Sequence, residues 1–170
     1  GFLALFLAIA GKVVLYGFLV SYFSGAIFFL SIFSWIFEVS RYTFLHHLLL
    51  DVYLGFFFGL FGLAFNLISR CVGLAAAFWA APFVWVCLEF LRSHLSFLAL
   101  PWGLLSHSQH QNTLIIQFAS FTGSYGISFL IVFVNAAIAL FLKNFLERKG
   151  DKLVIDHISI AWRNSVTMLL

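Results

Sequence analysis

Glu89 and Arg92 are the residues whose type and spacing most directly suggest chemistry, because they stand one helical turn apart in an otherwise apolar stretch. A charged side chain at the centre of a bilayer costs roughly 2.5–3.5 kcal/mol on insertion scales, so Glu89 must face protein or water. We predict that Glu89 pairs with Arg92, either as a structural ion pair at a helix end or as part of a functional site.

A polar loop at 101–109 follows these two residues and joins two membrane-length apolar runs. Tryptophan is favoured at the headgroup level of a membrane, and histidine, serine and glutamine side chains supply hydrogen-bonding groups. We therefore centre the candidate site on this loop. Its residues are Glu89, Arg92, Pro101, Trp102, His107, Ser108 and Gln109.

Histidines near the same predicted membrane face suggest a metal site: His46, His47, His94, His107 and His110. Membrane di-iron enzymes need about eight histidines with nearby carboxylates, whereas this face offers these five and only Asp51 and Glu89. Hydrogen bonding to water or lipid headgroups is the favoured interpretation. We predict neither a metal nor another cofactor.

Two cysteines, Cys71 and Cys87, are sixteen positions apart on what is predicted to be one helical stretch, so they cannot meet in a disulfide across it. Neither has the electropositive, accessible setting that a nucleophilic thiol needs. We predict that both are small buried hydrophobic residues and assign no catalytic residue.

Two helical faces carry most of the intramembrane polarity. Pro82, Trp85, Glu89 and Arg92 fall within about 80° of arc on a helix, whereas Cys87 points the other way. A second polar stripe is predicted to face the bundle interior, and we expect it to form interhelical hydrogen bonds. Its members are Gln117, Ser120, Ser124, Ser128 and Asn135. Two glycine pairs, at 55 and 59 and at 123 and 126, predict close helix packing.

Composition indicates the elements that position these residues. The chain is 64% hydrophobic and 9% charged, with a mean hydropathy of +1.09, which is typical of an integral membrane protein. Its apolar runs are continuous rather than alternating, so the predicted fold is all-α, a polytopic transmembrane helical bundle. The basic residues are scattered between apolar runs, which argues against nucleic-acid binding.

About 20 apolar residues cross a bilayer core, and this rule predicts four full spans. They cover 13–37, 48–68, 72–91 and 114–142. Partial spans at 2–11 and 165–170 suggest a domain of 170 residues truncated at both ends. Seven basic residues fall on one side and two on the other, so the loop at 143–164 is predicted to be cytoplasmic and the loop at 93–113 periplasmic.

Motifs along the second half of the chain resemble the membrane domain of bacterial apolipoprotein N-acyltransferases. They are APFVW at 81–85, EFLR at 89–92, PW at 101–102, SQ at 108–109, QFA at 117–119, GSYGISFL at 123–130 and VN at 134–135. The family usually has Gly-Phe where this chain has Ala99-Leu100, and Gly-Tyr where it has Ser106-His107. The resemblance therefore indicates a divergent member.

The resemblance implies an inner-membrane enzyme that moves an acyl chain from a phospholipid to the N-terminal diacylglyceryl-cysteine of apolipoproteins. In that family a glutamate, a lysine and a cysteine of a periplasmic nitrilase-like domain carry the chemistry by way of a thioester. None of the three is assigned in this chain, which is expected to be inactive alone. The candidate loop would serve substrate access or domain docking.

Two alternatives from other classes stay open. Glu89, Arg92 and the second polar stripe could line the path of a transporter or channel component, although no internal repeat is visible. The chain could also be a structural scaffold without a site.

Overall fold

The computed structural model describes residues 1–39, 41–95 and 98–167, with side chains through residue 147. Within this part the secondary structure is helical, with short 3-10 helices at Ser34–Glu38 and Leu105–Gln109. The α-helices are α1 (Phe2–Ile9), α2 (Val14–Ile32), α3 (Phe44–Cys71), α4 (Leu74–His94) and α5 (Thr113–Thr167).

Four of these helices are long and apolar enough to cross a membrane: α2, α3, α4 and the Thr113–Glu147 part of α5. The predicted all-α polytopic bundle is confirmed. The first predicted span continues to residue 37, whereas α2 ends at Ile32 and a 3-10 helix follows. The segment 143–164 continues helix α5. Of the predicted partial span at 165–170, residues 168–170 lie outside the described residues.

Helices α2 and α3 form the most extensive interface of the bundle. Glycines let their backbones approach closely, since a Cβ added at Gly59 would lie 2.7 Å from the Phe18 ring and one added at Gly55 would lie 3.2 Å from the Tyr22 carbonyl oxygen. A Cβ at Gly62 would collide with Ser21. The prediction of close packing at residues 55 and 59 is confirmed.

Helix α1 is anchored by aromatic side chains. Phe2 meets Trp85 edge-on at 4.6 Å between ring centroids, and Phe6 lies 5.4 Å from Phe78. Trp85 in turn packs on Phe58 at 4.7 Å. Rings in such edge-to-face arrangements contribute stability beyond the area they bury. This aromatic core brings α1, α3 and α4 together and buries the face of α4 that carries the candidate polar residues.

Helix α5 bends at Gly123, whose φ of 69° and ψ of −177° lie outside the helical region. A Cβ added at Gly123 would meet nothing within 4 Å, so this glycine permits the bend and does not serve helix packing. The prediction of close packing at residue 123 is therefore wrong. The bend also divides the predicted polar stripe. Ser128 beyond it is fully buried, whereas Gln117 and Ser120 before it are exposed, which corrects their predicted interior position.

The two cysteines are exposed on the outside of the bundle, so the prediction that they are buried is wrong. Cys87 lies on the face of α4 opposite Trp85 and Glu89, as the helical spacing predicts. Cysteine is apolar enough to face lipid, which explains why its chemical type did not reveal its position.

Candidate functional site

The connection between α4 and α5 contains a segment, the 98–109 loop, that is held by side chains from three helices. Tyr53 of α3 donates its hydroxyl to the Leu98 carbonyl at 2.8 Å. The Ser128 hydroxyl of α5 accepts the Ser106 amide at 3.1 Å. Irregular backbone has no ladder partners, and the bond to Ser128 satisfies a buried amide that would otherwise be unpaired.

Helix α4 supplies the two charged anchors. The Glu89 carboxylate accepts the Leu105 amide at 2.8 Å, and the Arg92 guanidinium donates to the Gly103 carbonyl at 3.4 Å. Both charged side chains are 3% exposed. The Arg92 guanidinium also lies 5.5 Å from the centre of the Phe29 ring, a cation–π distance.

The predicted direct ion pair between Glu89 and Arg92 is absent. Among the described residues, the contacts within 4.0 Å between a basic and an acidic side chain are His47–Asp51 and Lys143–Glu147. The shared burial of Glu89 and Arg92 on one face of α4 is confirmed. The reason for the difference is competition, because each side chain is directed to the backbone of the 98–109 loop instead of to its neighbour.

Gly103 allows the loop to press against the end of α2. Its φ of 65° is the left-handed region that favours glycine, and an added Cβ would lie 3.0 Å from the Phe33 ring and 3.1 Å from the Phe29 ring. Next to it, Trp102 is half exposed and lies 6.2 Å from Trp35, ring to ring. The loop and the end of α2 therefore form one surface with two adjacent indoles.

A cavity of about 490 Å³ lies between this loop and the end of α2. Its wall is apolar on the α2 side and carries imidazole and hydroxyl groups on the loop side. Its lining includes Phe28, Ile32, Trp102, Leu105, His107, Ser108 and His110. A second cavity of about 540 Å³, between α1 and α2, shares Phe28, Ile32 and Leu105 with the first. The two cavities are therefore adjacent along α2, and we call them together the α2 groove.

The candidate residues from the sequence divide into two groups in the structure. Glu89 and Arg92 lie beneath the loop and hold it. Pro101 is exposed next to Trp102, and Trp102, His107 and Ser108 line the α2 groove, while the Gln109 amide donates to the Ser108 hydroxyl at 3.2 Å.

Sequence reasoning missed the wall of the groove and one anchor. Phe28 and Ile32 belong to a uniformly apolar helix, so nothing in their type distinguishes a cavity wall from a lipid-facing side chain. Tyr53 gave no signal either. Ser128 could be found from the sequence, since it belongs to the predicted polar stripe. Its hydrogen-bond partner, however, is the loop amide of Ser106 rather than a group on another helix.

Four of the five histidines make side-chain hydrogen bonds, and that of His47 to the Leu30 carbonyl of α2 is long-range. His47 is buried, with Nε2 at 3.5 Å from Asp51 and Nδ1 at 3.2 Å from the Tyr42 hydroxyl. Burial raises the pKa of the Tyr42 phenol, and Asp51 adds to the rise, so the phenol keeps its proton. His46 is paired with Thr43, and the described residues contain no cluster of three metal-ligating side chains.

Comparison with known proteins identifies the family. The model of the apolipoprotein N-acyltransferase N-terminal domain matches residues 1–137. The chain belongs to this family. With its four membrane-length helices, this member of the apolipoprotein N-acyltransferase family is a multi-pass membrane protein.

Curated relatives carry the same family name. Apolipoprotein N-acyltransferase 2 of Treponema pallidum is 39% identical over 97 residues, which is 56% of this chain and 17% of that protein. Apolipoprotein N-acyltransferase of Geobacter metallireducens is 35% identical over 81 residues, 48% of this chain and 15% of that protein. The matched stretches thus cover less than a fifth of these relatives. No solved structure matches this N-acyltransferase family member significantly.

Proposed function

We propose that this domain is the membrane portion of an acyltransferase that moves an acyl chain from a phospholipid to the N-terminal diacylglyceryl-cysteine of apolipoproteins. In this proposal the domain lies in the bacterial inner membrane, with the 98–109 loop on the periplasmic side. The α2 groove is the observation that carries the proposal, because it joins an apolar channel to a polar rim.

The groove is suited to one acyl chain of a membrane phospholipid. Its two parts, about 490 and 540 Å³, are each within the range of roughly 300–1,000 Å³ that small-molecule sites occupy. The apolar walls from Phe28 and Ile32 would receive the hydrocarbon. His107, Ser108 and His110 at the rim would offer hydrogen bonds to the ester and headgroup oxygens.

The remaining candidate residues support the groove from below and beside it. Glu89 and Arg92 fix the loop that forms the rim, so they position the site rather than touch the lipid. Pro101 is exposed, Trp102 is half exposed at the edge of the groove and Gln109 is partly exposed, and these three would guide substrates or meet the catalytic part of the enzyme.

The bond-making groups are assigned to a part of the enzyme outside these 170 residues. Cys71 and Cys87 are exposed on the outside of the bundle and do not line the α2 groove. By itself the domain would therefore bind lipid without transferring an acyl group.

The transporter alternative depends on a polar path through the bundle. However, Glu89 and Arg92 are bonded to the loop, and Gln117 and Ser120 are exposed outside the bundle.

The test is to fill the groove in the full-length enzyme. Ile32→Trp places a larger ring in the wall, and Leu19→Trp on the same helix is the matched control, because both positions are 42% exposed but Leu19 lines neither cavity. We expect Ile32→Trp to reduce N-acylation of a lipoprotein substrate about tenfold, the loss that follows from roughly 1.4 kcal/mol of binding. Leu19→Trp should leave the rate unchanged. Equal rates for both variants would contradict the assignment of the groove.

A further inference from the structure

Three polar atoms beneath the 98–109 loop lack a hydrogen-bond partner among the described residues. They are the indole Nε1 of Trp85, the carboxylate Oε2 of Glu89 and the guanidinium Nε of Arg92. The three residues are 5%, 3% and 3% exposed and follow one another along one face of α4. A buried polar group left unpaired lowers the stability of the fold, and a charged one lowers it more. A partner that all three atoms share would remove most of this cost.

The same three side chains line a small cavity. With Phe57, Phe58 and Leu88 they enclose about 10 Å³. Holding one water molecule takes about 10–15 Å³, so this space accommodates a single water and is far too small for a lipid headgroup or an acyl chain.

The chemistry of the three atoms defines the occupant. The Trp85 and Arg92 nitrogens only donate hydrogen bonds, whereas the Glu89 carboxylate only accepts them. A chloride ion would satisfy the two donors but repel Glu89, and a small cation would do the reverse. Water has two lone pairs and two hydrogens, so it satisfies all three atoms and makes the roughly three bonds that are typical of buried water.

We propose that one buried water molecule occupies this cavity, accepts N–H hydrogen bonds from Trp85 and Arg92 and donates one to Glu89. The water converts Glu89 and Arg92 into a water-mediated ion pair. It is compatible with both bonds to the loop: the other Glu89 oxygen stays on the Leu105 amide, and the Arg92 terminal nitrogen stays on the Gly103 carbonyl. The site is independent of any bound lipid.

An experimental structure of the protein in lipid nanodiscs, at a resolution that shows ordered water, tests the proposal directly. We expect density about 2.7–3.2 Å from each of the three atoms. Direct contact between the Glu89 carboxylate and the Arg92 guanidinium would overturn the proposal. A cavity without density would also overturn it.

Radiolytic labelling in ¹⁸O water gives a second readout, because hydroxyl radicals formed from a bound water oxidise the side chains around it. Phe57 borders the cavity and lines neither part of the α2 groove, so its oxidation should fall severalfold in Trp85→Phe, which keeps an aromatic ring but removes one donor. The matched control is Trp79→Phe on the same helix, at a position that is 59% exposed.

We expect Trp79→Phe to leave Phe57 oxidation unchanged. Should Trp85→Phe not fold, the wild-type structure decides by the density in the cavity. Unchanged Phe57 oxidation in a folded Trp85→Phe variant would refute the bound water.

Discussion

The α2–α3 interface and the inner side of the 98–109 loop, where Leu104 and Ser106 are buried, lie in the same domain but are stabilised in opposite ways. The interface depends on missing side chains, since Gly55, Gly59 and Gly62 let two backbones approach. The loop depends on polar side chains that reach out from regular helices, as Glu89 and Tyr53 do.

The difference follows from the solvent of each region. Lipid gives no hydrophobic driving force between two apolar helices, so close van der Waals contact has to hold them together. A loop has backbone groups without ladder partners, and burial makes each of them costly unless a side chain pairs with it. Substitutions should therefore act through steric collision in the first region and through lost hydrogen bonds in the second.

The largest expected effect is at Glu89. Glu89→Ala removes the acceptor of the Leu105 amide and leaves Arg92 buried without its counter-charge, a change that typically costs about 3–5 kcal/mol. The free energy of unfolding, measured by denaturant titration in detergent micelles, should fall by that amount. Glu147→Ala is the matched control, because Glu147 is 59% exposed in its ion pair with Lys143 and should cost less than about 1 kcal/mol. A similar loss from both would mean that Glu89 does not hold the loop.

Gly62→Ala tests the interface and should rank second. The new methyl group would collide with Ser21 and the Gly17 carbonyl, so the helices must separate. Overpacking of this kind costs about 1–3 kcal/mol, and we expect the upper end. Gly55→Ala is the comparison, because its methyl group would lie 3.2 Å from the nearest atom. We expect it to lower the free energy of unfolding clearly less than Gly62→Ala. Equal losses, measured by the same titration, would argue against steric collision as the cause.

Gly103→Ala probes the contact between the two regions. Its positive φ alone costs about 1–2 kcal/mol for an L-residue, and the methyl would also press on Phe29 and on Phe33, which lines the groove. Gly11→Ala is the control, because Gly11 has a φ of 75° and nothing within 4 Å of an added Cβ. The excess loss of stability at Gly103 over Gly11 measures the loop contact. No excess would show that the loop can move away freely.

The sequence was sufficient to predict the four membrane-length helices, because continuous apolar runs have one solution in a membrane. It also predicted that Glu89 and Arg92 share a buried face. The sequence could not predict the hydrogen-bond partner of either residue, because a backbone carbonyl such as that of Gly103 carries no residue-specific signal. The interior position predicted for Gln117 and Ser120 was wrong because helical spacing rules assume an unbroken helix. The non-helical backbone at Gly123 changes the direction in which the preceding turns of α5 present their side chains.

Tyr53→Phe is the smallest of these changes and the cleanest test of the loop, because it removes only the oxygen that bonds to the Leu98 carbonyl. A single neutral hydrogen bond contributes about 0.5–1.5 kcal/mol, so we expect a loss near 1 kcal/mol in the free energy of unfolding. Tyr16→Phe is the matched control, since Tyr16 is 44% exposed and should lose nothing measurable. If Tyr53 anchors the loop as the geometry indicates, its loss should also combine non-additively with Glu89→Gln, because both side chains restrain one segment. Strict additivity would mean that the two ends of the loop are held independently.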